Sequence, residues 1–336
     1  MFAALAKLRM LVLIVTLVAL APIDRSQAQS NDQSMPAEMN VLVYRQADLY
    51  GVGIQKGWFK EAFPNTKVNF IYGSGAPQGL AGLASGSLDV VLFGSTATAV
   101  GLAQGIDLET FYIFDVIDKA EQLVVRDSAG IKSAQDLKGK KIGTIGASTA
   151  EYALIGYLAT NNMTEEDLNL IYGGDKDLYA AWSRGDLDGA YTWQPFITDM
   201  KKEGGTTLVT SGELESKGWG VTNLAVTRRE FAEKYPEALK KFAGVMDRAV
   251  RLFRENPDDT YTTMAAYLEL PVEETKALLH EAKFLTVEEQ KDPKYLGGGL
   301  ADSLINTSKI WVKINRIKEA APDDKIKASV TSKYLP

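Results

Sequence analysis

The sequence has no cysteine and a single histidine, His280. Those absences remove disulfide staples, thiolate metal sites and Cys/His nucleophilic chemistry, so no metal, no cofactor and no catalytic residue is expected. An excess of basic residues is missing too: 37 Lys and Arg stand against 43 Asp and Glu, for a formal net charge of −6. Nucleic-acid surfaces need clustered cations to neutralise phosphates, so that class of partner is set aside. Long apolar runs are also scarce at the N-terminus, where the stretch from Met10 to Ala21 falls short of the ~20 residues that span a bilayer.

What is present is a chain of 336 residues, 46% hydrophobic, enough to bury a core in one large domain or two ordinary ones. Lys7 and Arg9 precede the apolar stretch and Ser26-Gln27-Ala28 follows it, the layout of a cleaved signal peptide over residues 1–28. With no cysteine to carry a lipid after cleavage, the expected product is a soluble, non-lipidated protein of a bacterial periplasm. Residues 29–38 are polar and contain Pro36, and read as a flexible lead.

From Met39 the chain alternates short apolar runs with helical patterns. Strands are predicted at 40–44, 68–72, 88–93 and 108–114, with helices at 53–63, 77–84 and 97–103 between them. After a strand at 122–126 the plan restarts, with strands at 141–145, 168–172, 188–191 and 207–210 separated by helices at 150–159, 177–183 and 195–202. A strand at 223–227 follows, and from Arg229 the pattern is almost wholly helical. Tyr235, Leu239, Phe242, Met246, Ala249 and Phe253 form one apolar stripe that stops at Asn256-Pro257.

The predicted fold is therefore α/β and two-lobed: residues 39–122 with 223–336 as the first lobe, residues 123–222 as the second, and two hinge strands near Gln122 and Val221. The helical C-terminal region is expected to pack on the first lobe.

Three glycine and hydroxyl clusters fall where a strand gives way to a helix: Gly73-Ser74-Gly75, Gly94-Ser95-Thr96 and Gly146-Ala147-Ser148-Thr149. A helix start leaves N–H groups unsatisfied and carries partial positive charge, so it holds an oxyanion without Lys or Arg. Each cluster taken alone also reads as an ordinary N-cap. Their recurrence in both lobes, at the carboxyl ends of strands, favours ligand contact.

Tyr44, Tyr50, Tyr152, Tyr191, Trp193 and Trp219 gather near these loops and suit shielding of an alkyl group or cation–π contact with an ammonium, or alternatively core packing. Asp48, Asp115 and Glu151 are the nearby carboxylates able to pair with an amine, although Glu151 also suits a helix's first turn. His280 reads as a solvated surface side chain, and Asp186 with Asp188 as turn chemistry.

At these loops the sequence resembles the periplasmic binding proteins of ABC importers for taurine, alkanesulfonates and nitrate, and the taurine-binding branch above the others. The stretches that carry the resemblance are Tyr72-Gly73-Ser74-Gly75-Ala76, Leu83-Ala84-Ser85-Gly86 with Asp89, Gly94-Ser95, Asp136 to Lys140, Ser148-Thr149 with Tyr152, and Ala181 to Trp193. It implies a closing two-lobed fold, a sulfonate held by hydroxyls and backbone amides at helix starts, an amine held by acidic and aromatic groups, and a membrane permease as partner of a monomeric protein.

By matching positions Ser74, Gly75, Ser95, Ser148, Thr149 and Trp193 inherit ligand contact, with Thr96 and Tyr152 beside them. Where taurine-binding relatives carry an acid after the second crossover this chain has Asn223, so Asp48 or Glu151 replaces that acid or the ligand differs from taurine. Two other classes share the architecture. Pyrimidine-synthesising proteins of thiamine metabolism need a cysteine-rich segment that is absent here, and a ligand sensor would use the same pocket.

Overall fold

The structure is a computed structural model that describes residues 34–73 and 75–336. The expected signal peptide, residues 29–33 of the lead, and Ser74 lie outside the described residues.

Among the described residues the strands form two sheets. The first holds β1 (Glu38–Val43), β2 (Lys67–Tyr72), β3 (Val90–Gly94), β4 (Leu108–Ile117), β10 (Thr222–Arg228) and the two-residue β11 (Ala282–Lys283), in the order β11-β4-β10-β3-β1-β2. The second holds β5 (Glu121–Arg126), β6 (Lys141–Thr144), β7 (Asn169–Tyr172), β8 (Gly189–Trp193) and β9 (Gly205–Thr210), in the order β7-β6-β8-β5-β9. Each sheet is mixed: β1, β2 and β3 run parallel while β10 is antiparallel to both β3 and β4, and β5 is antiparallel to β8 and β9. The protein is a two-lobed α/β molecule, and the chain passes between sheets at residues 118–120 and again at 211–221.

The apolar runs explain the layering. Every residue of β4, Leu-Glu-Thr-Phe-Tyr-Ile-Phe-Asp-Val-Ile, is buried, as a strand covered by helices on both faces must be. The helix Pro236–Glu255 buries Leu239, Phe242, Met246 and Ala249 of the predicted stripe and packs with β1, β3 and β4 in one core.

Two expectations need correction. The single helix expected over 53–63 is two short ones, Tyr50–Gln55 and Trp58–Ala62, because Gly57 between them adopts φ 69°, which ends a right-handed helix. The segment beyond Arg229 is almost wholly helical, as expected, and its two-residue β11 adds an edge to the first sheet beside β4. Structure also begins ahead of Met39: the carbonyls of Pro36 and Ala37 accept from Thr66 and Lys67, and β1 opens at Glu38.

The C-terminal region packs largely on the first lobe, but it also touches the second. Trp311, on the helix Gly299–Lys313, stands edge-on to Tyr152 with ring centroids 5.8 Å apart, and Asn306 donates to the Tyr152 hydroxyl at 3.1 Å.

Candidate ligand-binding site

A helix start from each lobe, at Gly94 and at Thr149, meets beside the two passages between the sheets, where Thr149 and Ser211 both donate to Glu121. In the first lobe β3 ends at Gly94 and the helix Ser95–Ala103 begins at once, two residues earlier than predicted, so Ser95 and Thr96 occupy its first turn and Gly94 is the N-cap. Both side chains are buried as residues, and neither hydroxyl is engaged by another described group. Gly75 caps the helix Ala76–Ser85 with φ 150°, a conformation that favours glycine.

In the second lobe Ser148 caps the helix Thr149–Thr160. Its Oγ accepts from Glu151 N at 3.2 Å and donates to Ile145 O at 2.6 Å. The two lobes meet here: a Cβ placed on Gly94 would lie 2.9 Å from Thr149 Cγ2, so a side chain at that position would hold the helix starts apart.

The buried carboxylates divide into two kinds. Asp89, Glu109, Glu151 and Asp247 each pair with a guanidinium, from Arg228, Arg229, Arg316 and Arg251 respectively. Asp48, Asp115 and Glu121 are as deeply buried, and among the described residues none has a cationic partner.

Asp115 acts electrostatically on both of the others. Asp48 is fully buried in the loop after β1 and neither of its oxygens has a hydrogen-bond donor of ordinary geometry. Burial, and then the charge of Asp115, raise its pKa well above the carboxylate range, offset in part by the nearby N–H groups of Leu49 and Tyr50. Asp115, near the end of β4, is raised by burial while the Asn223 amide, donating to Oδ2 at 3.0 Å, works against the rise. Glu121 opens β5 across the hinge. Burial pushes it up to about 7, although the hydroxyls of Thr149 and Ser211 donate to it. The arrangement therefore offers helix starts suited to an oxyanion beside carboxyls suited to a cation.

Residues 47–260 match the family model described as NMT1/THI5 like. The chain belongs to this family. Among curated relatives, the taurine-binding periplasmic protein of Escherichia coli (strain K12) is 28% identical over 259 residues, covering 75% of this chain and 79% of that protein. Among solved structures, the periplasmic aliphatic sulphonate binding protein SsuA of Escherichia coli superposes with a TM-score of 0.73 at 18% identity, over 87% of this chain and 92% of that one. The alkanesulfonate-binding protein SsuA from Xanthomonas axonopodis pv. citri, bound to MOPS, gives 0.67 at 19% identity, over 83% and 94%. At those identities the structural likeness establishes the periplasmic binding protein fold and nothing further.

Within this family member the expected site residues fall into two groups. Gly75, Ser95, Thr96, Ser148 and Thr149 stand at helix starts, and Asp48 and Asn223 belong to the unpaired acid group. Trp193, half-buried at the end of β8, is in register with Glu121.

Glu151 and Tyr152 face elsewhere. Arg316 Nε donates to Glu151 Oε1 at 2.8 Å and Ala147 N to Oε2 at 2.5 Å, so that carboxylate already has its cation. Tyr152 is buried between Trp219 and Trp311. His280 is exposed, as expected, although Nε2 lies 2.7 Å from the Tyr261 hydroxyl. Glu121 was not singled out from sequence; the available signal was a charged residue opening the apolar strand Glu121-Gln122-Leu123-Val124-Val125 at the crossover.

Proposed function

We propose that this protein is the substrate-binding component of an ABC importer for taurine or a related small sulfonate or zwitterion. In this reading lobes formed by 39–122 with 223–336 and by 123–222 close about the two hinge passages, and the closed form presents the ligand to a membrane permease. The sulfonate is held by Ser74 and by the helix starts at Gly75, Ser95, Thr96, Ser148 and Thr149, with Trp193 and Asn223 lining the alkyl and amine side. Asp48 is preferred over Glu151 as the acid, because Glu151 is neutralised by Arg316. Tyr152 acts from behind, as packing under the second helix start. Removal of residues 1–28 on export gives a non-lipidated periplasmic monomer.

The observation that carries this reading is the meeting of a helix start from each lobe at Gly94 and Thr149, next to carboxyls with no cation of their own. The curated relative named for taurine supports the ligand class. A binding protein for a different small anion or amine would use the same geometry, and a ligand screen separates the two.

A thermal-shift screen of the purified protein against taurine, ethanesulfonate, sulfate, nitrate, glycine betaine and amino acids tests the proposal. A ligand that binds only the folded state adds about 2.7 kcal/mol at a hundredfold excess over its Kd, a readily measured rise in Tm. Taurine is expected to give such a rise. A rise with another solute class and none with any sulfonate would keep the binding role and overturn the sulfonate.

A further inference from the structure

We propose that Glu121 is a positioning residue for the anion half of this site. Protonated, it frees the Thr149 hydroxyl to donate to a bound sulfonate; ionised, it takes that hydrogen for itself, so each anion that binds brings one proton with it. The proposal rests on the ligand site described above and adds to it the residue that sets the direction of one of its hydrogen bonds.

Thr149 stands at the gap between the lobes. A Cβ placed on Gly94 would lie 3.8 Å from Thr149 Oγ1 and 3.9 Å from Thr96 Oγ1, so hydroxyls from a helix start of each lobe border the same point. Thr96 is 1% exposed, and its hydroxyl has no partner among the described residues. Thr149 is buried too, but its hydroxyl is committed: it donates to Glu121 Oε1. A hydroxyl has one hydrogen to give. While Glu121 holds it, an oxyanion in the gap meets only the lone pairs of Thr149, with a second negative charge behind them.

The other side of Glu121 is fixed. Ser211, fully buried, donates to Oε2 at 3.3 Å, and the buried Tyr191 hydroxyl lies 3.0 Å from Ser211 Oγ. With the Ser211 hydrogen given to Glu121, Tyr191 donates to Ser211, and both hydrogens of the row point towards the carboxyl. A proton taken up by Glu121 therefore sits on Oε1, where it points at Thr149 Oγ1 and reverses that bond. The Thr149 hydrogen is then released towards the gap.

The surroundings favour this proton. Burial pushes Glu121 up to about 7, and the charge of Asp115 on β4 acts in the same direction. Tyr191 on β8 is raised far above the phenol range by burial and stays neutral. On the helix Thr149–Thr160 the Glu151 carboxylate is held by Arg316, and Glu213, beyond β9, accepts from Thr210 N at 2.7 Å. Lys201 of the helix Phe196–Lys202 donates to Gln122 Oε1 at 2.8 Å, and Gln122 follows Glu121 on β5 and points to the opposite face. Lys119 acts on Glu281. An anion in the gap strengthens the hold of Glu121 on its proton, which is the same linkage seen from the other side.

Titration calorimetry of the purified protein with taurine and with ethanesulfonate at pH 6 and pH 8, in buffers of different ionisation enthalpy, tests this. Ethanesulfonate has no group that titrates in this range. Affinity should be about tenfold higher at pH 6 than at pH 8, with close to one proton taken up per ligand at pH 8. In Glu121→Gln the amide donates to Thr149 as the protonated acid does, and its oxygen accepts from Ser211. That variant should lose the proton uptake and nearly all of the pH dependence. Thr149→Val, which keeps the shape and removes the hydroxyl, should bind about tenfold more weakly than the unaltered protein at pH 6.

Equal affinity at both pH values without proton uptake would overturn the assignment. So would a Glu121→Gln protein that keeps the uptake, or a Thr149→Val protein that binds at pH 6 as the unaltered one does. If neither sulfonate binds at either pH, the sulfonate reading fails by itself, and sulfate and nitrate become the probes. Binding of either with a proton uptake that Glu121→Gln abolishes then supports the role of Glu121, and any other result overturns it.

Discussion

At the scale of single residues the most informative contrast is between carboxylates that look alike in sequence. Glu121 is buried, has hydroxyl partners and no cation, and is pushed up to about 7. Its folded-state pKa lies above the unfolded one, so folding favours the protonated form. The associated stability is complete below about pH 4.5 and is lost as the pH rises through about 7. Glu121→Gln, which resembles the protonated form, should therefore leave urea stability nearly unchanged at pH 4.5 and increase it on the order of 2–3 kcal/mol at pH 8. An equal effect at both pH values would show that Glu121 is not held neutral by the fold. Asp48, Asp115 and Glu151 were visible in the sequence as acids near helix starts, but their roles could not be separated there. What separates them is Arg316, a partner 165 positions from Glu151, and tertiary contacts of that range leave no local trace.

At the scale of elements, strand and helix order was legible because burial imposes period-two or period-3.6 patterning along the chain. The break at Gly57 and the short β11 were not, because a glycine turn inside a helical pattern and a two-residue edge strand carry almost no periodic signal. Also invisible was the bridge between the C-terminal region and the second lobe, in which Arg316 reaches Glu151 and the Tyr172 hydroxyl, the latter at 2.5 Å.

Arg316→Gln would leave Glu151, 1% exposed at its side chain, without a cation. We expect a loss of about 3 kcal/mol in unfolding free energy, read from urea midpoints. A change within the scatter of surface substitutions would mean that the bridge is not energetically coupled to the fold. The helix starts give a second prediction. Gly94→Ala places a methyl 2.9 Å from Thr149 Cγ2 across the gap between the lobes. Taurine affinity should fall several-fold, about 3–10-fold, with little change in Tm, because the added group opposes approach of the lobes more than folding of either one. A fall in Tm with unchanged affinity would place the clash inside the fold instead of at the binding gap.

At the scale of the whole molecule, two mixed sheets are joined by two short passages and braced by polar contacts beside them. Lys283 and Lys294 both reach the Glu215 carboxylate, at 2.9 and 2.8 Å, and Gln194 donates to Glu281 at 2.8 Å. Beside these polar contacts lies an apolar one, the buried cluster of Ile117, Tyr152, Val221 and Trp311 that draws on both lobes. The two-lobed plan could be inferred from the restart of the strand–helix alternation after residue 122, and the proposed anion-binding half of the site from hydroxyls at helix starts. Which buried acids lack a cation required the structure, since the partners of Asp89, Glu109 and Glu151 lie far along the chain.

The most direct measurement is a calorimetric titration of the purified protein with taurine at neutral pH. The account predicts saturable one-to-one binding with no chemical change in the recovered taurine. Absence of binding by taurine and by every other sulfonate, in a protein that unfolds cooperatively, would contradict it.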